Sequence, residues 1–123
     1  MKCTALSSPL LTGLVLAIGV TVPHSSALGV DAGAAESLAK DSKCFKCHAL
    51  DKKKDGPAFR DVAAKFRTEA DAEKKLIHHV TSGEKVKFAD GHEEEHKKVK
   101  TKDTAEMMNL VKWIQSLEGG TKY

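Results

Sequence analysis

Residues 44–48 read Cys-Phe-Lys-Cys-His. The spacing C-x-x-C-H marks covalent attachment of a c-type haem. Two thiols, Cys44 and Cys47, can add across the two vinyl groups on one edge of a porphyrin. The adjacent His48 is then placed to send an imidazole nitrogen to the iron from one face. Other chemistries use the same residue types. A C-x-x-C pair can be a thioredoxin-like redox centre, but that needs a βαβ context. A Cys/Cys/His zinc site would take a fourth ligand from His92 or His96. An accidental pentapeptide closed by a surface disulfide is the bland alternative, and so short a loop would add little stability.

A second pattern competes. Residues 92–96 read His-Glu-Glu-Glu-His, a formal match to the H-E-x-x-H of zinc peptidases. That chemistry needs the pattern on a helix, a third protein ligand and a substrate cleft. A chain this small has little room for them, and Glu93 to Glu95 with Lys97, Lys98 and Lys100 also read as a solvated charge run.

The elements that must position these residues can be read around them. The chain has 123 residues, 41% hydrophobic, 30% charged and 5% aromatic. This suits one domain with few rigid aromatic side chains for its core. Its net charge of +3, from 20 basic and 17 acidic residues, does not point to nucleic acid. Lys2, the apolar run Leu10–Val22 and the small residues Ser25-Ser26-Ala27 form a signal-peptide pattern. Residues 1–27 are expected to be removed, with cleavage after Ala34 as the second choice. The apolar run is shorter than the roughly 20 residues of a spanning helix, so no membrane anchor is expected in residues 28–123. Cys3 and His24 would leave with the leader, and the product would lie in an oxidising compartment, the periplasm of a bacterium.

No strand signal is found, and four helical stretches are. The first runs from about Ala32 to Lys43. Pro57 opens the second, through Phe66, with Phe59, Val62 and Phe66 on one face. The third runs from about Glu69 to Ser82, with a Thr68–Asp71 capping box, a stripe of Leu76, Ile77 and Val80, and a Gly83 stop. The fourth has a box at Asp103 and Glu106, then Met107, Leu110, Val111, Ile114 and Leu117 at helical intervals, and a stop at Gly119-Gly120. Between the last two lies Glu84 to Lys102, too long for a structureless connection inside a compact domain. It must be disordered or held by something.

The sequence resembles the small bacterial class I cytochromes c. CFKCHAL at 44–50, GPAFRDVAAKF at 56–66, the helix at 71–82 and LVKWIQSL at 110–117 carry the resemblance in the family's order. It implies an all-α fold of about four helices packed around one covalently attached haem c, with the first and last helices crossing. It also implies that the Pro57 carbonyl accepts the outer N–H of His48 and so fixes that ring.

The chain departs from the family in one place. Most relatives carry a distal methionine before the last helix, usually next to a proline. Here no methionine lies between His48 and Asp103, and the only methionine candidates, Met107 and Met108, sit inside the amphipathic stretch, where they read as core packing and a half-exposed neighbour. Counting back from Trp113, His96 falls close to the family methionine. His96 is therefore the expected distal ligand and His92 the second choice; two solvated loop histidines would leave the iron five-coordinate. His78 and His79 read as partly exposed helix residues. Imidazole in place of thioether should lower the potential. The expected task is one-electron transfer, not enzymatic catalysis. Lys43, Lys46, Lys52, Lys53 and Lys54 flank the motif and can steer a redox partner with an acidic patch, in a salt-sensitive way. A haem-based sensor with a displaceable distal histidine, and a cytochrome subunit of a larger oxidoreductase, are the alternatives. Carbon monoxide separates the sensor from the carrier, and a stable complex marks the subunit.

Overall fold

The computed structural model describes residues 29–117. The expected leader, with Cys3 and His24, and the stop at Gly119-Gly120 lie outside the described residues. Four helices form: α1 (Ala32–Asp41), α2 (Phe59–Phe66), α3 (Ala72–Ser82) and α4 (Thr104–Ser116). A 3₁₀ turn at Cys44–Lys46 follows α1, and a two-stranded hairpin, β1 (Lys85–Lys87) and β2 (Glu93–Glu95), separates α3 from α4. Among the described residues, no helix is long and apolar enough to cross a membrane.

Helix α4 is the organising element, and α1, α2 and α3 all pack against it. Its apolar spacing buries Leu110, Val111 and Ile114, and Trp113 joins them. Leu110 is 1% exposed, a burial that contributes about 1.5–3 kcal/mol. Ala35 and Ala39 are the buried residues of α1. Side chains this small let the first and last helices approach closely. Asn109 ties the two together: its Oδ1 accepts from Asp31 N–H and its Nδ2 donates to Asp31 O, both at 2.9 Å. Asp31 also caps α1 through Ala34 N–H. Asp103 caps α4 by accepting from the Ala105 and Glu106 N–H groups. Glu106 does not reach back to Asp103, as a capping box requires. It accepts from the Thr101 hydroxyl, which itself accepts the Asp103 N–H.

Three readings of the sequence need correction. The second helix begins at Phe59, not Pro57, because Ala58 is extended. The third begins at Ala72, and the Thr68–Asp71 box does not form. Asp71 is left-handed, with φ +59°, and makes no side-chain cap. The absence of strands is also corrected. The segment after Gly83 pairs β1 with β2 antiparallel, with Lys85 opposite Glu95 and Lys87 opposite Glu93. Strands of three residues show no alternation to read. Their specificity lies in opposite charges facing each other, worth roughly 0.2–1 kcal/mol a pair. Gly91 turns the hairpin in a left-handed conformation, donating to Phe88 O at 3.0 Å.

Candidate functional site

The C-x-x-C-H segment is folded by its own backbone. Lys43 takes a left-handed φ of +63° and ends the α1 exit. Cys44 O then accepts from both Cys47 N–H and His48 N–H, at 3.2 and 3.0 Å. The next residues cap α2 from outside: Phe59 N–H donates to Ala49 O and Arg60 N–H to Leu50 O. The motif is thereby fastened to α2 before any cofactor is considered.

His48 is fixed as the resemblance implied. Its Nδ1 donates to Pro57 O at 2.7 Å. This bond is possible because Pro57 lies outside α2, leaving its carbonyl free. Phe59 stacks on the imidazole, with centroids 5.0 Å apart and planes 13° apart. Gly56 completes the seat, since a Cβ there would stand 2.7 Å from the ring. Burial lowers the His48 pKa; the Pro57 bond opposes this, and positive charge on His79 and Lys54 adds to it. Burial raises the Cys44 pKa. Cys44 and Cys47 are free thiols.

Both thiols and His48 open onto one cavity of about 1030 Å³, which also touches Leu76, Leu110 and Ile114. Its size is at the upper end of the roughly 300–1,000 Å³ of small-molecule sites. Its walls come from α2, α3, α4 and the hairpin, so the domain is built around it. His96 faces His48 across this space, with ring centroids 6.2 Å apart. Burial lowers the His96 pKa to about 4, with His79 and His48 adding and the Lys97 backbone and Glu84 opposing. His96 is therefore neutral at pH 7, the form that binds metals. Its Nδ1 is buried and makes no hydrogen bond of good geometry.

The other candidates fall elsewhere. His92 does not line the cavity. It stacks on Phe88 at the hairpin turn and is paired through Nδ1 with Asp90. Neither Met107 nor Met108 lines the cavity. The H-E-x-x-H match fails as a peptidase pattern because its central residues are a strand. No group of three or more His, Cys, Asp or Glu suited to a metal ion occurs among the described residues. Lys43, Lys46, Lys52, Lys53 and Lys54 are all exposed around the motif, and Lys54 Nζ donates to Phe45 O at 2.6 Å.

Two features escaped the sequence. His79, read as a helix surface residue, lines the cavity with its ring 4.1 Å from that of His96. The one hint was its position three residues after Leu76, on the buried side of α3. Ser42, 2% exposed, accepts the Lys100 N–H at 2.9 Å and so joins the motif's entry to the segment bearing His96. No local pattern announces a bond spanning 58 residues.

Comparison with known proteins agrees with this geometry. Residues 32–118 match the family model for cytochrome c. The chain belongs to the cytochrome c family. Cytochrome c-551 of Pseudomonas aeruginosa is 41% identical over 83 residues, which are 68% of this chain and 70% of that protein. Class 1 cytochrome MtoD of Sideroxydans lithotrophicus ES-1 is 60% identical, with a TM-score of 0.69, over 74% of this chain and all of that one. Cytochrome c552 of Nitrosomonas europaea is 30% identical, with a TM-score of 0.54, over 68% of this chain and 99% of that one. The fold is the all-α class I cytochrome c fold. Its cofactor is one covalently bound haem c, and a small c-type cytochrome of this kind takes part in electron transfer. The residues fit that group: two free thiols beside a seated imidazole, an apolar cavity of matching scale, and the His96 imidazole on the opposite wall.

Proposed function

We propose that this cytochrome is an exported, periplasmic carrier of single electrons. Cys44 and Cys47 bind its haem through thioethers, His48 is the proximal ligand and His96 the distal one. The observation that carries the reading is the 6.2 Å between the His48 and His96 rings. Metal–imidazole bonds of about 2.0–2.1 Å on opposite sides of one ion put two ring centres roughly 6 Å apart. The leader-like pattern in residues 1–27 supports export.

A bound haem supplies a ferric/ferrous couple that moves one electron at a time. The protein's part is to hold the site unchanged through that cycle. Pro57 fixes the His48 tautomer and ring plane, Phe59 and Gly56 hold its seat, and the hairpin delivers His96 to the opposite face. With an imidazole on each side of the cavity to hold the haem, the site would have no need to open. The exposed lysines around the motif give a surface for a partner with an acidic patch.

Imidazole opposite imidazole favours ferric iron more than thioether does. A redox titration of the purified protein is expected to give a potential below that of methionine-ligated cytochromes c, by a sizeable part of the about 0.8 V that haem proteins span. A potential in the methionine-ligated range would refute distal ligation by His96.

A further inference from the structure

A ligating imidazole is ordinarily oriented by a hydrogen bond to its second nitrogen. His48 obeys this through Pro57. His96 Nδ1 makes no hydrogen bond of good geometry, although the Lys97 backbone lies beside the ring. Packing must then contribute to holding its ring.

The surroundings of His96 show what that packing is. Its backbone N–H donates to Glu84 O at 3.0 Å. The side chain of the same Glu84 accepts from His79 Nδ1, at 2.7 Å. The His79 ring lies against the His96 ring, with centroids 4.1 Å apart and planes tilted by 47°. One residue thus grips both the main chain of His96 and the ring that leans on its side chain. The base is rigid. His79 belongs to the last turn of α3, and Val99 N–H closes onto Val80 O at 2.8 Å just beyond. Gly83 permits the fold-back with a φ of +68°, and a Cβ there would collide with the side chains of Lys98 and Glu95.

Resting on the assignment of His96 as distal ligand, we propose that Glu84 and His79 are a positioning pair. They fix the distal imidazole by packing, and so control how readily that side of the haem opens. His79 is the wall, and Glu84 is the tether that keeps the wall in place.

The test uses the full haem-loaded protein. Carbon monoxide binding to the ferrous form is timed by stopped flow, and the ferric form is examined by electron paramagnetic resonance. His79→Ala is expected to bind carbon monoxide about 10-fold faster, the lower end of what losing an outer partner of a metal ligand costs. Its low-spin ferric signal should shift or broaden. Glu84→Ala keeps the backbone bond and should move both readouts the same way by less. His79→Phe restores a flat wall without the tether and should return the rate most of the way. A purely structural role would lower the melting temperature and leave rate and signal unchanged, which overturns the proposal. So does a His79→Phe rate as fast as that of His79→Ala. The underlying reading is checked separately with His96→Ala: a ferric spectrum that stays low-spin removes the ligand assignment itself, whatever the His79 variants do.

Discussion

Replacing His96 with alanine is expected to convert the ferric haem from low-spin to high-spin, with the fold intact. His96 holds its place in the chain through a backbone bond to Glu84 O, which alanine keeps. The ring itself makes no hydrogen bond of good geometry through Nδ1 whose loss would unsettle the hairpin. What disappears is the imidazole opposite His48, and among the described residues no methionine lines the cavity to replace it. His79 stands beside His96 on α3, fastened to Glu84. The parallel variant His92→Ala should leave the spectrum as it is, since that ring is engaged with Phe88 and Asp90 at the hairpin turn. Absorption spectra of the two variants decide between them. A high-spin His92→Ala protein beside a low-spin His96→Ala protein would reverse the assignment.

The second large effect comes from removing both thiols. Cys44→Ser/Cys47→Ser should yield a chain without covalent haem and without a cooperative thermal transition. The cavity of about 1030 Å³ is lined by residues of α2, α3, α4 and the hairpin. Left without haem, the apolar walls formed by Leu76, Leu110 and Ile114 would face water. A domain has only about 5–15 kcal/mol of stability to lose. Leu110, Trp113 and Ile114 pack chiefly on Phe59 and the alanines of α1, a core too small to hold the remainder. Mass spectrometry and far-ultraviolet circular dichroism of the variant check this. A haem-free chain that melts cooperatively near the native temperature would show that the helices fold without the cofactor.

The parts that the sequence made legible are those governed by near neighbours. The Cys44–Cys47–His48 spacing is chemistry written in five consecutive residues. The apolar interval of α4 placed Leu110, Val111 and Ile114 in the core, and the Asp103 cap was found to the residue. Pro57 came through the family resemblance, and its carbonyl bond to His48 is present. What could not be read depends on partners far along the chain. The hairpin is held by a backbone ladder and by lysines facing glutamates, so its sequence looks like an ordinary solvated charge run. Asp71 looks like the end of a capping box until its left-handed conformation is known. The Glu84–His79 contact spans the Gly83 stop of α3, where helical periodicity ends. The link from Ser42 to Lys100 joins two segments that no pattern relates.

In the proposed site two imidazoles, from His48 and His96, share one haem iron. Near-infrared magnetic circular dichroism of the ferric protein addresses this pairing most directly, because the energy of the charge-transfer band depends on the axial pair. A band at the energy of imidazole–imidazole ligation is the expected result. A band at the imidazole–thioether energy, or a high-spin pattern in the unmodified protein, would contradict it.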